Sequence, residues 1–220
     1  MKNSILLFSL LIVQTSSVNI QPQVYDNFDG SKVLRYETKN RALDTVAKNP
    51  APNNINNTDK CAKYTRNSAK RFDNIKMSFT AKLTDVSPYA TYLGIPPKIK
   101  MKIYTSAPVG TLVEILLGSK GRNAEYPAGT NSQYQAHTTV ANGWEELEFK
   151  FAQIPEGSET QATEIDQLTL LFNPNSSTSD VYYFDDIAGP AIGMASTEDV
   201  KKDAVKDENV KEVKKSIENK

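Results

Sequence analysis

Apolar residues fall on every second position over several short stretches of the chain. From Ile75 through Met77, Phe79, Ala81 and Leu83 they alternate with Lys76, Ser78, Thr80 and Lys82, the period of a strand buried on one face. A helix would spread the same residues around its whole circumference. The alternation returns in Ile99, Met101 and Ile103 against Lys100, Lys102 and Tyr104, and in Val113, Ile115 and Leu117 against Leu112, Glu114 and Leu116. It returns again in Leu147, Phe149 and Phe151 against Glu146, Glu148 and Lys150. Turn formers punctuate these runs at Asn49 to Asn57, Gly94 to Pro97, Ala107 to Gly110, Gly118 to Gly121, Asn142 with Gly143, Pro155 to Gly157 and Asn173 to Asp180. Short strands at such spacing predict an all-β fold, an antiparallel β-sandwich of roughly nine or ten strands, which suits a jelly roll. No internal repeat is evident, and no helical period survives inside the domain.

The two ends depart from this pattern. Met1 and Lys2 precede an apolar stretch from Ile5 to Val13 that reaches Thr15, Ser16 and Ser17, the three-part layout of a secretory signal. That stretch is shorter than the about 20 apolar residues a membrane span needs, and no second one follows. We therefore expect a signal peptide over residues 1–17, a β-sandwich over 18–192 and a secreted or extracellular location, the cell surface included. After Gly189 and Pro190 the chain turns to Lys, Glu and Asp without an aromatic residue, giving a charged tail over 193–220. Such a composition suits a solvated, disordered segment. Val200, Ala204, Val210, Val213 and Ile217 also leave a thin stripe with which a helix could form against a protein partner.

Charge and chemistry narrow the function. Twenty-six basic and 26 acidic residues balance, so no nucleic-acid footprint is expected. A single cysteine, Cys61, excludes an internal disulfide; within an alternating segment it reads as a small buried hydrophobe. The one histidine, His137, shares a strand face with Gln133, Gln135 and Thr139 and has no metal-spaced partner. No nucleophile elbow, phosphate loop or zinc motif is present. Enzymatic chemistry is left to carboxylate pairs such as Glu114 with Glu146, since a glycosidase needs only two separated by about 5 to 10 Å. Glu146 and Glu148 alternate with core residues as ordinary solvent-facing side chains do, so the chain is read as non-catalytic.

The stretch from Tyr104, "YTSAPVGTLVEILLGSKGRNAEYPAGTNSQYQAHTTVANGWEELEFKFAQIP", preceded by "NPAPNNINNTDKCAKYTRN" and closed by "VYYFDDIAGP", resembles the galactose-binding-like β-sandwich modules that accompany secreted glycoside hydrolases and surface proteins of Bacteroidetes-type bacteria. The likeness runs from Tyr25 to Pro190. It implies a carbohydrate-binding module with a polysaccharide or glycan as partner. No hydrolase domain accompanies it in this sequence, which implies a freestanding binder. The resemblance also implies a structural calcium ion fastening the first and last strands, for which Asp26 and Asp29 in "YDNFDG" and Asp185 and Asp186 in "YYFDDIAG" are the candidate ligands. Oxygen donors of this kind suit Ca²⁺. Without a metal, Asp29 and Gly30 would form a turn, and Asp185 and Asp186 would cap a strand end.

A sugar needs flat apolar faces for its C–H side and planar polar groups for its hydroxyls. Trp144, directly after a turn, reads as a core plug at the end of a sheet. Tyr126 in a long loop, Tyr89 and Tyr92 flanking a second loop, and Tyr104, Glu114, Gln133 and Gln135 on outward strand faces are the candidate binding residues. Each alone could be a solvated surface side chain; convergence would make them a site. Two rival readings stand beside this one: an extracellular structural or interaction subunit that uses the sandwich and the tail, and a glycoside hydrolase that uses paired carboxylates.

Overall fold

Alternation of large apolar and polar side chains along short segments builds eleven strands among the described residues. They are β1 Gln23–Asp26, β2 Leu34–Tyr36, β3 Leu43–Lys48, β4 Lys60–Thr65, β5 Ile75–Phe79, β6 Ile99–Thr105, β7 Leu112–Gly118, β8 Thr130–His137, β9 Gly143–Gln153, β10 Gln167–Phe172 and β11 Val181–Gly189. The computed structural model describes residues 22–36, 43–122 and 125–193; the expected signal peptide and the charged tail beyond Gly193 lie outside them.

Every strand pair is antiparallel. The strands follow the order β2-β5-β10-β7-β8-β9-β6-β11-β4-β3, with β1 added on β11. The long strand β9 folds this ribbon into two layers. Its first part, Gly143 to Phe149, pairs with β6, and its last part, Lys150 to Gln153, pairs with β8. One layer, the front sheet, is therefore β2-β5-β10-β7-β8 with the end of β9. The other, the back sheet, is β9-β6-β11-β4-β3 with β1. The result is the jelly-roll β-sandwich that the alternation predicts, with eleven strands where the sequence suggests nine or ten.

The core fills the space between the layers. Met77, Ile115, Leu117, Tyr134, Leu168 and Phe172 come from the front sheet, and Tyr64, Met101, Ile103, Phe149, Tyr182 and Phe184 from the back sheet. Phe172 and Tyr182 stack across the gap with centroids 4.4 Å apart and planes 11° apart. Burial of each such side chain contributes about 1.5–3 kcal/mol, which is how a chain whose one cysteine is free and buried holds a sandwich without a bridge. The Cys61 thiol lies against the Ala47 carbonyl and is pushed up to about 12 by burial and then by the nearby Asp185, Asp29 and Asp44 carboxylates. It is a thiol, not a thiolate, at neutral pH. No helix among the described residues is long and apolar enough to cross a membrane.

Candidate functional site

On the outward face of the front sheet, side chains from five strands line a groove of about 940 Å³, within the size range of ligand sites. The strand registers lay its floor out in rows. Leu171 of β10, Glu114 of β7 and Gln135 of β8 form one row. Lys76 of β5, Thr169, Leu116, Gln133 and Gln153 of β9 form the next. Polar groups in these rows are held by one another: the Gln135 amide donates to Glu114 Oε2 at 2.7 Å, and the Gln153 amide donates to Gln133 Oε1. Leu112, Leu116 and Leu171 leave apolar floor between them. Planar amides with fixed orientation beside small apolar areas form a surface suited to hydroxyls on one edge of a ring and C–H groups on its face.

Walls rise at both ends of the strands. Beyond Gly118 stands the loop that carries Glu125, Tyr126 and Gly129, and beyond Leu112 stand Phe72, Asn74, Pro174 and Asn175. The seven residues of β7 separate the walls by roughly 20 Å at about 3.3 Å per residue. Each wall offers one exposed ring, Tyr126 at 56 % and Phe72 at 60 % exposure. The Tyr126 wall is pinned by backbone bonds from Ser119 to Gly129, from Gly129 to Glu125 and from Thr130 to Pro127, and by Thr160 Oγ1 donating to the Ala128 carbonyl. Gly118 makes this approach possible, because a Cβ there would fall 2.2 Å from the Gly129 carbonyl oxygen.

Of the residues proposed from sequence, Glu114, Tyr126, Gln133 and Gln135 are brought together in this groove. Three are not. Tyr104 points out from the back sheet, where its ring meets Trp144 and Tyr183. Tyr89 is 3 % exposed and belongs to the core, because the segment before it folds back through Val86 onto Ala162. Tyr92 is exposed but packs its ring on Phe151 and gives its hydroxyl to the Ala152 carbonyl, outside the groove lining. Trp144 is buried, as read from the sequence, but beneath the loop after β3: its indole N–H donates to Asn49 Oδ1 at 2.9 Å, and it faces away from the inter-sheet core. Glu146 pairs with Lys100 on the back sheet, so it and Glu114 serve different surfaces.

Sequence reasoning did not single out Phe72, Asn74, Gln153 or Asn175. Phe72 sits in a polar loop, where no periodicity marks it. A usable signal lay in Leu112 and Leu116: both occupy the outward positions of β7, where a solvated strand would carry polar residues.

The four aspartates named for calcium divide into two kinds. Asp26 and Asp185 are buried at 1 % and 0 % exposure. Asp26 accepts from the Phe28 amide and the Tyr36 hydroxyl. Asp185 accepts from Asn56 Nδ2, Thr58 Oγ1 and the Asp186 amide. Burial raises the Tyr36 phenol, and the Asp26 and then the Asp185 carboxylate push it the same way. Burial pushes Asp185 up to about 6, opposed by the Asn56, Thr58 and Asp186 hydrogen bonds, and also lifts Asp26. Asp186 turns instead to Lys102, with Nζ 2.7 Å from its carboxylate, and Asp29 is exposed. Among the described residues no group of three or more His, Cys, Asp or Glu side chains is placed to hold a metal ion. Asp26 and Asp185 both accept hydrogen bonds on each carboxylate oxygen, and the foursome is not gathered in one place.

No family model matches the chain, and no curated protein matches its sequence. Its fold is similar to solved carbohydrate-binding modules. With the family 11 module of the cellulosomal cellulase Lic26A-Cel5E of Clostridium thermocellum it shares 13 % identity over 81 % of this chain and 98 % of that one, at a TM-score of 0.44. A family 30 module matches at 13 % identity over 80 % of this chain and 87 % of the other, TM-score 0.44. A family 61 module solved with β-1,4-galactotriose matches at 11 % identity over 78 % and 99 %, TM-score 0.40.

Proposed function

We propose that this chain is an extracellular carbohydrate-binding domain that holds the interior of a neutral polysaccharide or glycan in the front-sheet groove and performs no chemistry on it. The observation that carries the reading is the groove itself: a trough across five strands, floored by mutually oriented glutamines and walled at both strand ends by an exposed aromatic ring. Its walls flank the path across the strands, and among the described residues no loop in the lining lies across that path. A chain can therefore lie through it, with no need for a free end. Among the described residues its charged lining is Lys76, Glu114 and Glu125, one base against two acids, which favours a neutral over a polyanionic glycan. The extracellular setting follows from the signal peptide expected over residues 1–17.

The test is retention on insoluble plant, algal and host polysaccharides, followed by calorimetry with soluble forms of those that bind. Neutral polymers should be retained and uronate-rich or sulfated ones not. Failure to bind any of them ends the reading. We also assign Asp26 and Asp185 as the carboxylates of a structural Ca²⁺ site at the junction of β1 and β11, where the cation would offset two buried negative charges.

A further inference from the structure

We propose that Arg66 is a positioning residue for the groove, holding the loop after β4 and the loop after β10 together as one wall. The inference rests on the groove being the binding site. Arg66 is 2 % exposed, and burying a guanidinium is costly unless its donors are met. Here they are met by main-chain carbonyls. Nε donates to Phe172 at 2.9 Å, and Nη1 donates to Thr178 at 3.0 Å. Nη2 reaches Lys70, Arg71 and Ser176 at 3.1, 2.6 and 2.7 Å.

Those five carbonyls come from two segments far apart in sequence, and the same two segments supply Phe72, Asn74, Pro174 and Asn175 to the groove. The segments also meet directly, the Asn175 amide donating to the Arg71 carbonyl at 2.7 Å. Within the first loop, Asp73 accepts from the Asn67 amide at 2.6 Å and from the Tyr64 hydroxyl. Neither loop carries a strand ladder of its own, so the guanidinium fork stands in for one. Only a planar fork of five N–H donors spans such a set; an ammonium with three donors at one point does not. Arg66 thereby fixes where the Phe72 ring stands relative to the floor without touching the ligand.

The experiment uses the full chain and a polysaccharide that it retains. Arg66→Lys should weaken binding at least tenfold at a temperature where circular dichroism shows it folded. Combined with Phe72→Ala, the losses should be strongly non-additive, since Arg66 acts through that ring; combined with Tyr126→Ala on the opposite wall they should add. Unchanged affinity in Arg66→Lys, or equal coupling to both walls, overturns the assignment. Amide exchange decides it without a variant or a ligand. In the unaltered chain the hydrogen-bonded amides of Lys70 and Asp73 in one loop and of Asn173 and Asn175 in the other should open with one shared protection, and unrelated protections in the two loops overturn the clamp. Absence of any polysaccharide binding, with shared protection intact, would overturn the groove reading and leave the clamp standing.

Discussion

Asp185 carries the most informative proton in the molecule. Its carboxyl is fully buried, and burial moves it from 3.8 up to about 6 despite three hydrogen bonds that favour the charged form. The folded chain therefore binds this proton more tightly than the unfolded chain does. Between about pH 4 and pH 6 it carries the extra proton, so stability is greatest below the unfolded value and is lost as the pH climbs through the folded one. Asp26 is raised in the same direction by burial and adds to the trend. The expected loss is on the order of 3 kcal/mol by neutral pH. Thermal unfolding followed from pH 3.5 to 7.5 in the presence of a chelator should show the melting temperature falling over that window. Asp185→Asn, which cannot ionise, should flatten the fall. A wild-type melting temperature that rises with pH over the same range would refute the assignment.

At the level of the elements, β7 shows what a sequence reveals and what it hides. Its inward residues Val113, Ile115 and Leu117 were legible because period-two burial is a local property of one strand. The outward row was legible in part: Glu114 opposite Gln135 and Leu116 opposite Gln133 are partners across β7 and β8, and the two glutamines share a face by simple alternation. Phe72, Asn74 and Asn175 were not legible, because their meeting depends on the clamp between two loops about a hundred positions apart. Tyr89 and Tyr104 misled for a related reason: an aromatic residue near a loop or on an outward position can be core or satellite packing, and only the sheet order decides. At its last residue β7 makes a sharper demand. Gly118 lets the Gly129 carbonyl sit where a Cβ would be, 2.2 Å away, and a methyl group meeting main chain cannot be relieved by a side-chain rotation. Gly118→Ala should cost about 1–3 kcal/mol in denaturant unfolding. It should also displace the Tyr126 wall, lowering polysaccharide affinity beyond what partial unfolding explains. Unaltered stability and affinity would show that the loop can yield and that its close approach is not required.

Across the whole molecule, the groove and the acidic cluster occupy different sheets and do different work. The groove belongs to β5, β10, β7, β8 and the end of β9. The cluster sits where β1 zips onto β11, a seam reinforced by the Tyr25 hydroxyl on the Pro190 carbonyl at 2.7 Å and by the Ile192 amide on Gln23 Oε1 at 2.7 Å. A cation bound at that seam, as proposed, would stabilise the folded chain in proportion to its occupancy, and would do so by neutralising Asp26 and Asp185 rather than by moving Gln133 or Tyr126. Two consequences separate cleanly. At pH 7 millimolar Ca²⁺ should raise the melting temperature by several degrees, as about 1–2 kcal/mol does for a domain of this size, while Asp185→Asn should lose most of that gain. At 20 °C, far below unfolding, affinity for the retained polysaccharide should be the same in Ca²⁺ and in chelator. A melting temperature indifferent to Ca²⁺ would remove the cation from Asp26 and Asp185 and leave the pair as buried acids. An affinity that collapses in chelator while the chain stays folded would place the cation in the groove, where Glu114 and Glu125 are the carboxylates available to it.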